Sequence, residues 1–503
     1  MKKLSVYPRL VLLGTLLLMI LASCELIDPD KEPKENDNRA DLITDTIAPQ
    51  RTDGMPYPPV LPGPYIPNPN DTIIIIPDGP LRGNFEPLND PSIVKELYPQ
   101  GQSMEPLFYK DYADLDDPEP RTSQCCPEIS VTESNQAVMM TGNFWMTFST
   151  DGGGTFTEYN PTSFFPQSNG GFCCDQVVHY IPQYEMFVWL LQYRADSEGK
   201  NLLRLAVQTV SEAISSNGTS WTYYDFPSTV FSETRRLDYN DMSFGRSNLY
   251  FNTNTVGGGR HAVRIPLEQL QAKGSISYQY TGATDNAYFS HITQNAGDAV
   301  YWGGHISNSE LRVYSMRDGD DFYAWRTVNV DSWPNGANKS NCPDGTDWLS
   351  FDANKNYIFG NVINGNNLWF AWLAGPGGGF PQSHVQMVRI NTDTWNAEEQ
   401  VQIWNEDFAF GYPYLSTNST GEIGMSVGFG GGSFYASHAV GVWGDFVVYY
   451  PKLSDRCTNR WGDYNTARRA TQNPQDWVAG GYVNTTDGGG APIVEPHFIR
   501  FGR

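Results

Sequence analysis

Carboxylates, amides and aromatic rings gather at recurrent points along this chain, and its chemistry has to be sought there. The groups are Asp175 and Gln176; Asp238, Asn240 and Asp241; His291; Asp347 and Trp348; Tyr412 and Tyr414; and Arg460, Asp463 and Tyr464. Residues of these kinds suit a sugar, because aromatic faces stack on the apolar faces of the ring while carboxylates and amides take its hydroxyls. Gln176, Asn240, His291, Trp348, Tyr412, Tyr414, Arg460 and Tyr464 are then the expected ligand contacts. Carboxylates among Asp175, Asp238, Asp241, Asp347 and Asp463 could also run glycoside hydrolysis, where a separation of about 5 Å or above about 6.5 Å sets the stereochemical outcome. The plainer alternative is that these side chains only satisfy backbone groups at a channel mouth. Calcium among Asp238, Asn240 and Asp241 would find oxygen ligands but not the loop spacing of a known site. The seven histidines form no metal-binding pair at short spacing, and no Gly-rich stretch joins a strand to a helix. The expectation is therefore no metal, no nucleotide and no cofactor.

The elements that must position these groups show themselves as a repeat. Units begin near Pro127, Asp175, Asp238, Tyr288, Asp347, Tyr412 and Trp461, a mean spacing of about 56 residues. Each leads through a polar turn into a short apolar run, such as Met186-Phe187-Val188-Trp189 or Ala299-Val300-Tyr301-Trp302. These have strand length and are rich in aromatic and β-branched residues. A further element follows in phase as Leu202–Leu205, Ala262–Ile265, Leu311–Tyr314 and Met387–Ile390, alternating with the period of a half-exposed strand. The arginines in phase there, Arg204, Arg264, Arg312 and Arg389, read as blade-surface residues. Helical periodicity is nearly absent. The fold class expected is all-β, a seven-bladed (alternatively six-bladed) β-propeller of four-stranded antiparallel blades, since radial stacking buries both faces of every sheet.

The stretch Ser149-Thr150-Asp151-Gly152-Gly153-Gly154-Thr155-Phe156 fits Ser-x-Asp-x-Gly-x-Thr-aromatic and follows the strand expected over Phe144–Phe148. It resembles the Asp box of sialidase-like propellers, a hairpin device built on Ser149, Asp151, Gly153, Thr155 and Phe156. Thr485-Thr486-Asp487-Gly488-Gly489 reads as a degenerate copy. Arg460-Trp461-Gly462-Asp463-Tyr464 with Trp477 resembles the last-blade segment of bacterial secreted propellers of this class. The resemblance implies a propeller and, in sialidases, an arginine triad, an acid/base Asp and a Tyr–Glu nucleophile pair. The sequence departs from that pattern. Arg264-Ile265-Pro266 stands in the third unit, in phase with the other strand arginines, and no triad can be assigned by motif.

With 33 Lys plus Arg against 56 Asp plus Glu, the 503 residues carry a formal charge of −23, which argues against a nucleic-acid partner. The basic start and the apolar run Val11–Ala22 read as an export signal, too short to span a bilayer. The run ends in Leu21-Ala22-Ser23-Cys24, which resembles the bacterial lipoprotein processing box and implies lipid on Cys24. Residues 1–23 are then the signal, 24–90 a lipidated Pro/Asp-rich extended linker and 91–503 the propeller. Within the linker, Ile73–Ile76 could add a strand to a sheet edge. The location expected is the outer membrane, lipid-anchored and surface-exposed. Cys125, Cys126, Cys173, Cys174, Cys342 and Cys457 make an even six in an exported chain, so disulfides are expected. A bridge from Cys125/Cys126 to Cys173/Cys174 is favoured, with a vicinal Cys-Cys ring as the alternative. The functional expectation is a propeller binding an extracellular glycan or protein, with a glycoside hydrolase and an envelope scaffold as alternatives.

Overall fold

Turn chemistry and strand propensity alternate through the chain, and the result is a succession of antiparallel meanders. The computed structural model describes residues 43–57, 108–114 and 128–502, apart from Glu233, Phe446, Val447 and Tyr464. The first blade runs Ser130–Glu133, Val138–Thr141, Met146–Ser149 and Thr157–Tyr159. The second runs Phe172–Ile181, Met186–Tyr193, Leu202–Thr209 and Trp221–Pro227, and the third Leu237–Phe244, Asn248–Thr255, Arg260–Pro266 and Ile276–Tyr280. The fourth contains Ala299–Ser307, Glu310–Arg317 and Phe322–Asn329; the fifth Ile358–Asn364, Asn367–Ala374, His384–Asn391 and Ala397–Ile403. The largest sheet starts with Ala409–Thr417, Ile423–Gly431 and Phe434–Val442 and continues through Trp477–Thr486 and Pro492–Gly502 to Phe108–Asp114, with Thr466–Arg469 alongside.

The strands form six hydrogen-bonded sheets, a six-bladed propeller rather than the seven-bladed one the repeat suggested. The sixth and seventh sequence units share one seven-stranded sheet, joined by the single pairing Ser437↔Val483. Counting sequence units therefore overcounts sheets by one.

First strands meet around a common axis. Tyr180 N–H donates to Thr132 Oγ1 at 2.8 Å, Ile292 N–H to Asp241 Oδ2 at 3.0 Å, and Gln294 N–H to Asn361 O at 2.9 Å. The ring closes where Val131 N–H reaches Thr466 Oγ1 at 3.1 Å and Arg500 grips Glu133 at 2.6 Å. Between neighbouring blades lie apolar layers, such as Met139 and Phe148 against Phe187 and Trp189, or Val188 and Leu190 against Leu249 and Phe251. Covered on both faces, the strands are buried almost throughout; all eight residues of Met186–Tyr193 are inaccessible. The third strand of the same blade, Leu202–Thr209, expected to be half-exposed, is buried in all but its last residue, whereas Arg312 and Arg389 on Glu310–Arg317 and His384–Asn391 keep part of their exposure. Arg204 is buried between the rings of Tyr193 and Tyr223 and binds Asp225 with two hydrogen bonds, so it is an internal tie rather than a surface residue.

Part of the segment expected as a free spacer is built into the fold. Ile43–Thr46 pairs with the outer strand of the fourth blade, Ala48–Thr52 with that of the third and Met55–Tyr57 with that of the second. Pro49 and Pro56 lie on these added strands, which have one outward side where a missing N–H costs nothing. Ile73–Ile76 lies outside the described residues. The Asp box closes the hairpin between the third and fourth strands of the first blade. There Asp151 accepts from Ser149 Oγ at 2.7 Å, Thr155 N–H at 2.8 Å and Thr155 Oγ1 at 2.7 Å. Those donors, Ser149 first, hold its carboxyl down at about 2. Gly153 takes the positive φ of 96° and Phe156 packs edge-on to Phe498. In the degenerate copy Asp487 Oδ1 still accepts from Gly489 and Ala491.

Candidate binding site at the mouth of the funnel

The starts of the first strands share a backbone feature that composition does not reveal. Glu128, Asp175, Tyr239, Phe289 and Tyr412 all have left-handed φ values, between 45° and 57°. The ladder slips opposite three of them, between Leu190 and Gln192, Asp238 and Asp241, and Gly411 and Tyr414. In the last unit Gly462, with φ 59°, takes the corresponding conformation. A side chain in this region costs roughly 1–2 kcal/mol, and strain of that kind collects where it aims side chains.

The aimed side chains meet. Tyr239 packs edge-on to Phe289 at 4.6 Å, Phe289 lies 4.7 Å from Tyr357, and Tyr412 bridges Phe359 at 5.6 Å and Trp461 at 5.5 Å. Between them lies a shallow pocket, its enclosed part with room for about one water and the rest open at the mouth, lined by Tyr239, Phe289, Phe351, Tyr357 and Phe359 with Asp352, Lys355, Arg460 and Asp463. Two ion pairs frame it: Lys355 to Asp352 at 3.2 Å and Arg460 to Asp463 at 3.1 Å. Asp352 also accepts from Tyr412 OH at 2.5 Å. The loops carrying these pairs are tied together by the Cys342–Cys457 disulfide and by Ser350 Oγ donating to Asn459 O at 2.9 Å.

Burial governs the acids around the pocket. Glu128 is pushed well above the usual carboxylate range by desolvation and then by the charges of Asp175 and Asp463, so it keeps its proton and shares a hydrogen bond with Asp175. Desolvation likewise raises Asp238 to about 8, with Asp175 adding to it, and raises Asp241 and Asp352 to about 6. Glu128 and Asp175 stand behind the wall formed by Tyr239: Asp175 Oδ2 accepts from Tyr239 N–H at 3.1 Å, and Tyr239 OH donates to Asp463 O at 3.2 Å. The arrangement can stack a sugar ring, accept hydroxyl protons and offer cationic donors.

Of the residues singled out from sequence, Arg460 and Asp463 line the pocket, and Tyr412 supports it through Asp352. Trp348 is buried against Trp461 and Tyr412. Asp175 and Asp238 lie behind the wall; Asp238 accepts from Gln192 Nε2 at 2.7 Å and sits 3.8 Å from Arg236. Asp241, Tyr414 and His291 lie deeper. Asp241 receives Ile292 N–H, Tyr414 OH reaches Asp241 at 3.4 Å, and His291 Nε2 lies 3.3 Å from Tyr239 OH. Gln176 and Asn240 are buried ties between blades, Gln176 to Trp145 O at 3.0 Å and Asn240 to Gln192 Oε1 at 3.1 Å. Asp347 caps its own turn, accepting from Ser340 N–H at 2.9 Å and Leu349 N–H at 3.2 Å. Tyr464, Cys24, Cys125 and Cys126 lie outside the described residues.

Cys173 and Cys174 are bonded to each other, the vicinal ring rather than the favoured bridge to the preceding unit. Among the described residues no group of three or more His, Cys, Asp or Glu is disposed to hold a metal ion, and Asp238 and Asp241 turn to different partners. Sequence reading missed Glu128, Tyr239, Phe289, Phe351, Asp352, Lys355, Tyr357 and Phe359. The signal for Glu128 was its place just ahead of a first strand, in phase with Asp175 and Tyr239. Phe351, Asp352 and Lys355 follow Trp348 within seven residues.

No protein-family model and no curated protein matches the chain. Among solved structures it is similar to a GH93 alpha-L-arabinofuranosidase of Fusarium graminearum complexed with arabinobiose, at 11% identity over 78% of this chain and 98% of that one, with a TM-score of 0.37. It is also similar to the polysaccharide lyase Uly1, at 10% identity over 76% and 90%, TM-score 0.40. A Trypanosoma rangeli sialidase aligns at 9% identity over 66% and 54%, TM-score 0.35. At these scores the chemistry of the chain has to be read from its own side chains.

Proposed function

We propose that the chain is a carbohydrate-binding propeller that holds one sugar unit in the funnel pocket without cleaving it. The observation carrying this reading is the pocket wall: five aromatic rings enclose two carboxylates that are each already engaged by a cation. Rings supply stacking area at low entropic cost, and engaged carboxylates still accept hydroxyl protons. A general acid or nucleophile, by contrast, has to reach the glycosidic bond, and Glu128 and Asp352 are each only 2% exposed. A Cys24 lipid anchor and an outer-membrane surface location belong to the same proposal and rest on the processing box. Mass spectrometry of the mature N-terminus checks them, an unmodified Cys24 removing the anchor.

The full chain applied to a glycan array, with bound hits then incubated and analysed for products, tests the function. Retention of intact sugar supports binding. Silence on every glycan favours a scaffold instead. One observation favours a second reading, glycoside hydrolysis: Asp352 lines the pocket with its carboxyl raised to about 6, a value suited to a general acid, and Asp463 lines the same pocket. Released sugar in that incubation would select it.

A further inference from the structure

We propose that a small monovalent anion of the class of chloride binds inside the propeller axis, on the guanidinium of Arg468. The site lies below the funnel pocket and does not depend on the sugar-binding reading. Arg468 stands on Thr466–Arg469, the strand whose Thr466 receives Val131 N–H and closes the ring. Its Nη1 donates to Tyr414 OH and to Ala467 O at 3.3 Å, and its Cζ lies 4.8 Å from the centroid of the Tyr414 ring. Its Nε and Nη2 have no hydrogen-bond partner among the described residues, although the residue is only 5% exposed. Donors of a full cation are thus held out of bulk water with no acceptor, which costs free energy unless something receives them. Asp241 is the nearby carboxylate and is already engaged: Oδ1 accepts from Tyr414 OH at 3.4 Å, and Oδ2 from Ile292 N–H at 3.0 Å and Gln294 Nε2 at 3.4 Å.

A second cation shares this part of the axis. Arg260 is inaccessible and donates only to neutral acceptors, Tyr239 O at 2.8 Å, Asn254 Oδ1 at 3.0 Å and Asn252 Oδ1 at 2.6 Å, while its Nε has none. Among the described residues neither arginine forms an ion pair. Both act on Asp241 and on His291, whose Nδ1 lies 4.0 Å from Asp241 Oδ2. Burial first, and these guanidinium charges next, hold His291 well below the usual imidazole range; burial and then Arg468 do the same to His179, so both rings are neutral. Burial raises Asp241 to about 6 against the pull of Arg468 and lowers Arg260 to about 10, so at pH 7 both are charged. Two cations therefore face one carboxylate. In the funnel above, Lys355 and Arg460 are each matched by their own partner and supply no anion to this layer. Unreceived N–H donors select an anion over a cation, and one excess positive charge selects a single negative one. Burial sets the size: Arg468, Arg260, Asp241, His291 and Tyr414 are all at most 5% exposed, which leaves no way out for the tail of a larger acid. Water could receive the donors but would leave the charge unanswered.

The test compares urea midpoints of the full-length chain at pH 7 in sodium chloride and in sodium gluconate of equal ionic strength. Above the dissociation constant, each tenfold rise in chloride should raise the folding equilibrium constant about tenfold, and gluconate should not. Arg468→Met should remove this dependence. Asp241→Asn, which takes away the competing negative charge, should move its onset to at least about fivefold lower chloride, a gain that a damaged fold cannot produce. Crystals grown with bromide in place of chloride should show the ion within about 3.5 Å of Arg468 Nε or Nη2. Equal midpoints in the two salts, a chloride dependence that survives Arg468→Met, or bromide seated only at other places overturns the inference and leaves water as the partner of Arg468. None of these results bears on the sugar-binding reading.

Discussion

Replacing Arg500 by Met should destabilise the propeller more than any exposed substitution, because it strikes the contact between the first and last sequence units. Arg500 donates from Nη2 and Nε to Glu133 Oε2 at 2.6 and 3.2 Å, and Glu133 Oε1 accepts from Thr471 N–H at 2.7 Å. The side chains are 6% and 0% exposed, so the pair is not screened by solvent. Truncating one partner leaves a buried carboxylate with no counter-charge, a loss of about 3–5 kcal/mol. Arg500 also donates to Gly152 O at 3.2 Å, which couples the closure to the Asp-box hairpin. A second variant carrying Glu133→Gln as well removes the stranded charge while its amide oxygen can still accept from Thr471. It should recover all but about 1–2 kcal/mol, as neutral replacements of buried pairs often do. Urea denaturation followed by tryptophan fluorescence, with both singles and the double in one cycle, reads these values. A cost below about 1 kcal/mol for Arg500→Met, or a double variant as unstable as the single, would refute the claim that this pair holds the ring shut.

Three further outcomes are expected. Folding raises the Asp241 carboxyl from 3.8 to about 6, so its protonated form is favoured in the native state; stability is full below the lower value and falls by on the order of 3 kcal/mol as pH rises past the upper one. Asp241→Asn should abolish that loss, so its urea midpoint relative to the parent improves between pH 4 and pH 7.5, and an unchanged difference would contradict it. A Cβ on Gly481 would come within 2.1 Å of the His438 ring, whose nitrogens lie 2.7 Å from Ser426 Oγ and His497 Nε2. Gly481→Ala should therefore cost about 1–3 kcal/mol and open the junction inside the largest sheet, seen as faster amide exchange in Phe434–Val442. Losing the Cys342–Cys457 bridge, whose ends are 115 positions apart in the sequence, should lower stability by about 4–5 kcal/mol in the chain-entropy account. It should also loosen the loops carrying Lys355 and Arg460, and a paired Cys342→Ser, Cys457→Ser variant measured with and without a dithiol checks both effects.

Particular residues show how far this site could be read before the fold was known. Asp175, Asp238, Tyr412, Arg460 and Asp463 were legible because they stand at repeat boundaries, where a propeller must place the starts of its first strands. What boundary position could not say is direction. Tyr412 is turned by a left-handed backbone toward Asp352, whereas Asp347, at the start of a neighbouring unit, folds back onto Ser340 and Leu349. Phe351, Asp352 and Lys355 stayed hidden because their role comes from a short turn after Trp348, with no periodic signal. The added outer strands of residues 43–57 were hidden for another reason: a Pro-rich segment reads as spacer unless an existing edge is there to accept it. The sheet count differed because one ladder pair, Ser437↔Val483, is invisible to periodicity.

The central claim, that the pocket ringed by left-handed residues is where a sugar sits, is tested most directly by a crystal structure of the chain soaked with the tightest-binding glycan from the array. The account predicts an intact sugar with one ring between Tyr239 and Phe351 and a hydrogen bond to Asp463 Oδ1. A glycan seated on a blade edge or on the added outer strands, with the funnel unchanged, would contradict it.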